Sequence, residues 1–113
     1  MITQSELFGK CPYVTAQKIL SGKWTLVILH YLSEKTYRFN ELQHLLPDIT
    51  QATLTKQLRY LEEYGIIIRT VYPQVPPKVE YKLSEIGMEL ITLLDSLKDW
   101  GTKYIQYQKE HAV

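Results

Sequence analysis

The sequence predicts a mainly α-helical fold carrying one small β-hairpin and a long C-terminal helix, an α+β architecture. Three observations predict it. Apolar residues recur at helical spacing through most of the chain. A β-branched run and an alternating run stand together between residues 66 and 83. A heptad pattern then continues from Ile86 to Tyr107. The 113 residues suit one domain over 1–113, and 45% hydrophobic with 22% charged residues excludes a disordered tail.

The elements follow in order. Pro12 opens the first helix, because its missing N–H is not needed at the first helical position. This helix runs to Leu20 and stops at Ser21-Gly22. A second helix, Lys23 to about Ser33, is apolar almost all round and reads as central in the core. Asn40 is the expected N-cap of a short helix that Pro47 ends. Thr50 caps the next helix, which runs through Tyr64 to Gly65 with Leu54, Leu58 and Leu61 as its inward stripe. Two short helices joined by Pro47-Asp48-Ile49 have the form of a helix-turn-helix over about 40–64. From these features alone, any small helical hairpin would read the same.

The next segment shifts that balance. Ile66 to Tyr72 is β-branched, and Val79 to Leu83 alternates with period two, giving a hairpin over about 67–83. Its tip, Pro73 to Lys78, is too proline-rich to pair and is expected to stay extended. A helix-turn-helix followed at once by a hairpin is a winged helix. Ser84 then caps a final helix over about 85–109. Its heptad positions are Ile86, Leu90, Leu93, Leu97, Trp100, Tyr104 and Tyr107, beside a second stripe of Ile91, Leu94 and Ile105. Packing within one subunit would account for such a seam, but its length favours a homodimer joined through Leu90, Leu93, Leu97, Trp100, Tyr104 and Tyr107.

On a wheel of about 100° per residue, Ala52, Lys56, Arg59 and Glu63 point away from the leucine stripe, with Thr53, Thr55 and Tyr60 flanking. A helix in a DNA major groove needs such a face. Small side chains permit approach, Thr and Gln bond base edges or phosphates, and Lys and Arg reach guanine or backbone oxygens. The candidate DNA contacts on this helix are Thr50, Gln51, Ala52, Thr53, Thr55, Lys56 and Arg59. Arg69, Gln74 and Lys78 of the wing are expected along the phosphates or in the adjacent minor groove, and Arg38 and Asn40, at the start of the first motif helix, on a phosphate. An ordinary solvated face would explain Lys56 and Arg59 equally well.

Other functions find little support. His30, His44 and His111 have no metal-ligand spacing, and neither a glycine-rich phosphate loop nor a nucleophile motif occurs. The expectation is therefore no enzyme, no cofactor and no metal. A winged helix that binds protein and not DNA would show an acidic or apolar outer face, whereas this one is polar and basic. One cysteine precludes an internal disulfide, and MITQSELFGK does not read as a signal peptide. The longest fully apolar run, Leu26–Leu29, is too short for a membrane span, so a cytoplasmic location is expected. The net charge of +1 hides an asymmetry: residues 1–60 carry +3 and residues 61–113 carry −2.

The residues also carry a family resemblance. Cys11-Pro12, Gly22-Lys23-Trp24-Thr25-Leu26, Arg38-Phe39-Asn40-Glu41-Leu42, Leu46 to Thr50, Leu54 to Arg59 and Leu61-Glu62 before Gly65 follow one pattern in order. Tyr72 to Tyr81, with Leu83-Ser84 and Gly87, is its most specific part. Over Cys11 to about Gly101 the chain resembles the HxlR-type winged-helix regulators, which are related to the MarR type. The resemblance implies a bacterial or archaeal transcription regulator that binds a double-stranded DNA operator as a homodimer. The Ile66-Ile67-Ile68 run and the tail after Gly101 depart from the pattern.

Some relatives of that family sense oxidants or electrophiles through a cysteine near position 11. Here Cys11 directly precedes a helix start, where backbone N–H groups favour a thiolate. A small half-buried helix cap is the plainer alternative. Nine tyrosines are many for this length, and Tyr13, Trp24, Trp100, Tyr104 and Tyr107 could line a cleft for an aromatic effector or simply supply packing.

Overall fold

In the computed structural model, which describes residues 4–112, the chain begins with helices α1 (Gln4–Leu7), α2 (Pro12–Leu20) and α3 (Thr25–Glu34). Strand β1 (Tyr37–Arg38), the motif helices α4 (Phe39–Leu45) and α5 (Gln51–Glu63), and strands β2 (Ile67–Tyr72) and β3 (Lys78–Leu83) follow. Helices α6 (Glu85–Met88) and α7 (Leu90–Glu110) close the chain. Residues 1–3 and 113, the ends of the expected 1–113 span and part of the N-terminal segment read as lacking a signal peptide, lie outside the described residues.

The predicted hairpin supplies the central strand and one edge of a three-stranded antiparallel sheet ordered β1-β3-β2. β2 and β3 pair from Ile67 with Leu83 to Tyr72 with Lys78, while Tyr37 and Arg38 add a short third strand against Tyr81 and Glu80. That third strand was not anticipated, because two residues carry no readable periodicity. The core gathers Ile28, Leu29 and Leu32 of α3, Leu42, the α5 stripe Leu54, Leu58 and Leu61, and Ile67, Tyr81 and Leu83 of the sheet. The wing tip bends at Gln74–Pro76 instead of running extended, and its Val75–Pro76 peptide is cis.

Three expectations are corrected. The motif's first helix starts at Phe39, with Arg38 and not Asn40 at the N-cap. The Glu41 carboxylate accepts the Arg38 N–H at 2.8 Å, which moves the start earlier by satisfying an end-of-helix donor. Helix α3 is not apolar-buried all round: Thr25, Ile28, Leu29 and Leu32 are buried, but Leu26 and Val27 are exposed. The C-terminal helix is split at Glu89, so Ser84 caps only the short α6, accepting from the Gly87 N–H at 3.1 Å. The Ser84 hydroxyl also reaches the carbonyls of Gly65 and Ile66, at 2.6 and 3.0 Å. It thereby joins the start of α6 to the turn that ends α5.

The division of the last helix does not follow the two stripes. Leu90, expected in the dimer seam, packs against its own core with Ile91 and Leu94 because it stands at the start of α7 beside the domain. Leu93, Leu97, Trp100, Tyr104 and Tyr107, with Ile105 of the second stripe, are exposed. The exposed rings form a ladder: Trp100 stacks on Tyr104 at 5.4 Å, Tyr104 meets Tyr107 at 5.7 Å, and Tyr107 stacks on His111 at 4.2 Å. Neither Tyr13 nor Trp24 has a ring contact with this ladder, so the five aromatics do not gather into one cleft.

Candidate nucleic-acid interface

Helix α5 carries the candidate site, and its start is built from local chemistry. The Thr50 hydroxyl accepts the Thr53 N–H at 3.1 Å and donates to the Thr53 hydroxyl at 2.8 Å. The turn before it is held from α4, where Gln43 Nε2 donates to the Ile49 carbonyl at 2.6 Å. The helix ends at Gly65, whose φ of +73° is the left-handed conformation that closes a helix. Leu54, Leu58 and Leu61 are all buried, so the predicted inward face is the observed one.

The two flanks differ. On one, Gln57 Oε1 accepts the Thr25 hydroxyl of α3 at 3.1 Å, Tyr60 donates its hydroxyl to the Lys18 carbonyl of α2, and Tyr64 meets Phe8 edge-on at 5.8 Å. Burial, reinforced by neighbouring Tyr64, raises the Tyr60 pKa above the usual tyrosine value. On the other flank, Thr55, Arg59 and Glu62 face Arg69 and Tyr81 of the sheet across a cleft of about 230 Å³. Neither guanidinium has an ion-pair partner among the described residues. Between the flanks, Gln51, Ala52 and Lys56 stand exposed.

The predicted DNA contacts are therefore not equivalent. The Thr55 hydroxyl donates to the Gln51 carbonyl at 2.8 Å, which leaves it able to accept a hydrogen bond but not to donate one to a phosphate. Lys78 lies 3.8 Å from Glu80 and 4.7 Å from the centre of the Tyr72 ring, so its charge is partly engaged. Gln74 sits on the exposed tip. Arg38, the N-cap of α4, and Asn40, in its first turn, are exposed, and the Glu41 carboxylate already occupies the Arg38 N–H and weakens an anion site there. Arg59 and Arg69, read separately from the sequence, converge on one cleft.

Against known proteins, residues 19–109 match the family model described as HxlR-like helix-turn-helix. The chain belongs to the HxlR-like helix-turn-helix family. Its relatives include the HTH-type transcriptional regulator YdeP of Bacillus subtilis, 50% identical over 88% of this chain and 78% of that protein. Among solved structures, the redox regulator HypR in its reduced form superposes with a TM-score of 0.84 at 39% identity, covering 88% of this chain and 99% of the other. The reduced form of the transcriptional regulator YodB from B. subtilis gives 0.73 at 33% identity, over 83% and 93%. The fold predicted from the sequence, a winged helix with a long C-terminal helix, is thus that of an HxlR-like regulator.

In this HxlR-like chain Cys11 holds the N-cap position of α2 with extended backbone. Its carbonyl accepts the N–H and hydroxyl of Thr15, at 2.9 and 2.8 Å. The thiol makes no capping hydrogen bond, so the cap is the main chain of this free, half-buried cysteine. Sequence reasoning missed Gln57, Glu62 and the role of Tyr60. The spacing of Gln57, Tyr60 and Tyr64 did mark one common flank, but nothing local says what lies beside it.

Proposed function

We propose that this protein is a sequence-specific transcriptional regulator that binds double-stranded DNA as a homodimer. Helix α5 enters the major groove, presenting Gln51, Ala52, Thr53 and Lys56 to base edges, while the wing, with Arg38 and Asn40, follows the backbone. The observation that carries this reading is the uncovered outer face of α5 between a hydrogen-bonded flank and one that borders the wing: Gln51, Ala52 and Lys56 are exposed there. Selection from random duplex DNA tests it. The expected product is a pseudo-palindrome with half-sites about 10 bp apart or a multiple of that. Failure to enrich any sequence would refute specific binding and favour the protein-interaction alternative.

The homodimer rests on uncovered apolar surface. Leu93, Leu97, Trp100, Tyr104 and Tyr107 of α7 are exposed, and Leu97 shares a groove with the exposed Leu26 and Val27 of α3. A second copy covering that continuous surface is the economical explanation. Oxidants or electrophiles acting on Cys11 are the proposed signal, supported by the structural neighbours HypR, described as a redox regulator, and YodB, solved after diamide treatment, and by a thiol that makes no capping hydrogen bond. A small aromatic effector is the weaker reading, since the rings lie along a helix face and do not line a cleft. Action within the cytoplasm follows from the proposed role; among the described residues no helix is long and apolar enough to cross a membrane.

A further inference from the structure

We infer that the Gly22–Thr25 turn and Gln57 form a lock that sets the rotation of α5 about its own axis, making Thr25 and Gln57 positioning residues for DNA specificity although neither belongs to the uncovered outer face. The inference rests on the DNA-binding reading. Burial of Leu54, Leu58 and Leu61 fixes how deep α5 sits and broadly which face is inward, but apolar contact is non-directional and tolerates a small rotation of the helix. A hydrogen bond far from the axis does not. The Thr25 hydroxyl, fully buried at the first turn of α3, donates to Gln57 Oε1 at 3.1 Å. Gly22 makes the approach possible, since a Cβ there would collide with both Thr25 Oγ1 and Gln57 Oε1. Two stretches that looked unrelated in the sequence, Gly22 to Leu26 and Leu54 to Arg59, thus meet at one bond.

The polar part of the restraint lies on one flank, where Tyr60 and Tyr64 extend it to Lys18 and Phe8. On the opposite flank α5 packs against β2, and the Arg59–Arg69 cleft there holds no ion pair among the described residues. A helix with side chains has a radius of about 5–6 Å, so a rotation of about 10° displaces its outer groups by about 1 Å. That is enough to break bonds to base edges, whose donor–acceptor window is only about 0.5 Å wide. Flexible contacts to phosphates survive it. The lock therefore acts on specificity and leaves general affinity largely alone.

The test compares Thr25→Val, which keeps the shape and loses the donor, with Thr25→Ser, which keeps the donor. Each is titrated with the duplex enriched by the wild type from a random pool and with an unrelated duplex of equal length. Thr25→Val is expected to lose about tenfold in the ratio of the two affinities with an unchanged salt dependence on the unrelated duplex, and Thr25→Ser to retain most of that ratio. A wild-type ratio in Thr25→Val overturns the lock, as does an equal fall on both duplexes. Amide hydrogen exchange of the DNA-free protein gives a reading independent of DNA. Thr25→Val should expose amides of Gln51–Gln57 that Thr25→Ser protects, and unchanged exchange there overturns the lock even if the wild type enriches no sequence.

Discussion

Gly87→Ala sets two effects of opposite sign against each other. On helix propensity alone, alanine in α6 would stabilise by about 1 kcal/mol. The structure reverses the sign. A Cβ at Gly87 would collide with the Ile66 carbonyl oxygen, with the Ile66 carbonyl carbon and Ser84 Oγ each at 3.3 Å, against about 3.5–4.0 Å for a relaxed carbon contact. The obstacle is backbone and cannot rotate away. The Ser84 hydroxyl is bound to the carbonyls of Gly65 and Ile66 and to the Gly87 N–H, so α6 cannot retreat without losing those bonds. Overpacking of about 1–3 kcal/mol plus about one lost hydrogen bond, near 1 kcal/mol, outweighs the propensity gain. The net loss is about 2 kcal/mol, and for a chain of this size it lowers the melting temperature by about 8 °C. Thermal unfolding followed by far-ultraviolet circular dichroism, at one protein concentration for both proteins, measures it. A melting temperature equal to or above wild type would refute the steric reasoning.

Further outcomes follow from the proposed interface. Arg59→Ala and Arg69→Ala should each reduce the slope of log affinity against log salt by about one phosphate contact, and the double variant should fall short of additivity because the two share one cleft; additive losses would separate them. Leu97→Glu places a charge in the exposed seam and should shift sedimentation from dimer to monomer with the helical circular-dichroism signal kept, while an unshifted boundary would move the interface elsewhere. Modification of Cys11 by diamide, verified by mass spectrometry, should change operator affinity in the wild type and leave Cys11→Ser unaffected; unchanged binding by fully modified protein would end the sensor reading. The raised Tyr60 pKa favours the neutral phenol in the folded state, so its contribution is complete below the unfolded tyrosine value near 10 and is lost as pH rises above it. Tyr60→Phe should lose less stability than the wild type over that alkaline range, as read by urea melts.

What could be read from the chain was whatever depends on near neighbours. The α5 stripe, the Thr50 cap and the Gly65 stop are spaced by the helix repeat itself, and each stands where periodicity put it. Asn40 was misplaced as a cap because the competing donor, the Arg38 N–H, is satisfied by Glu41 at the end of a two-residue strand too short to show in sequence. Helix α3 was read as central on composition, but composition cannot say which faces a fold leaves uncovered, and Leu26 and Val27 stayed outside.

The sequence by itself determined the winged-helix order of elements, the polar and basic outer face of α5 and the charge split between +3 and −2 halves. Those properties follow from local sterics, helical and strand periods and simple composition. Only the tertiary structure decided which flank of α5 is hydrogen-bonded to α2 and α3 and which opens onto Arg69, that Lys78 is engaged by Glu80 and Tyr72, and that the heptad seam from Leu93 onward faces outward. The physical reason is common to all three. Each depends on which residues distant in sequence are brought within a few ångströms, through contacts such as Thr25 with Gln57 that no period of the chain encodes.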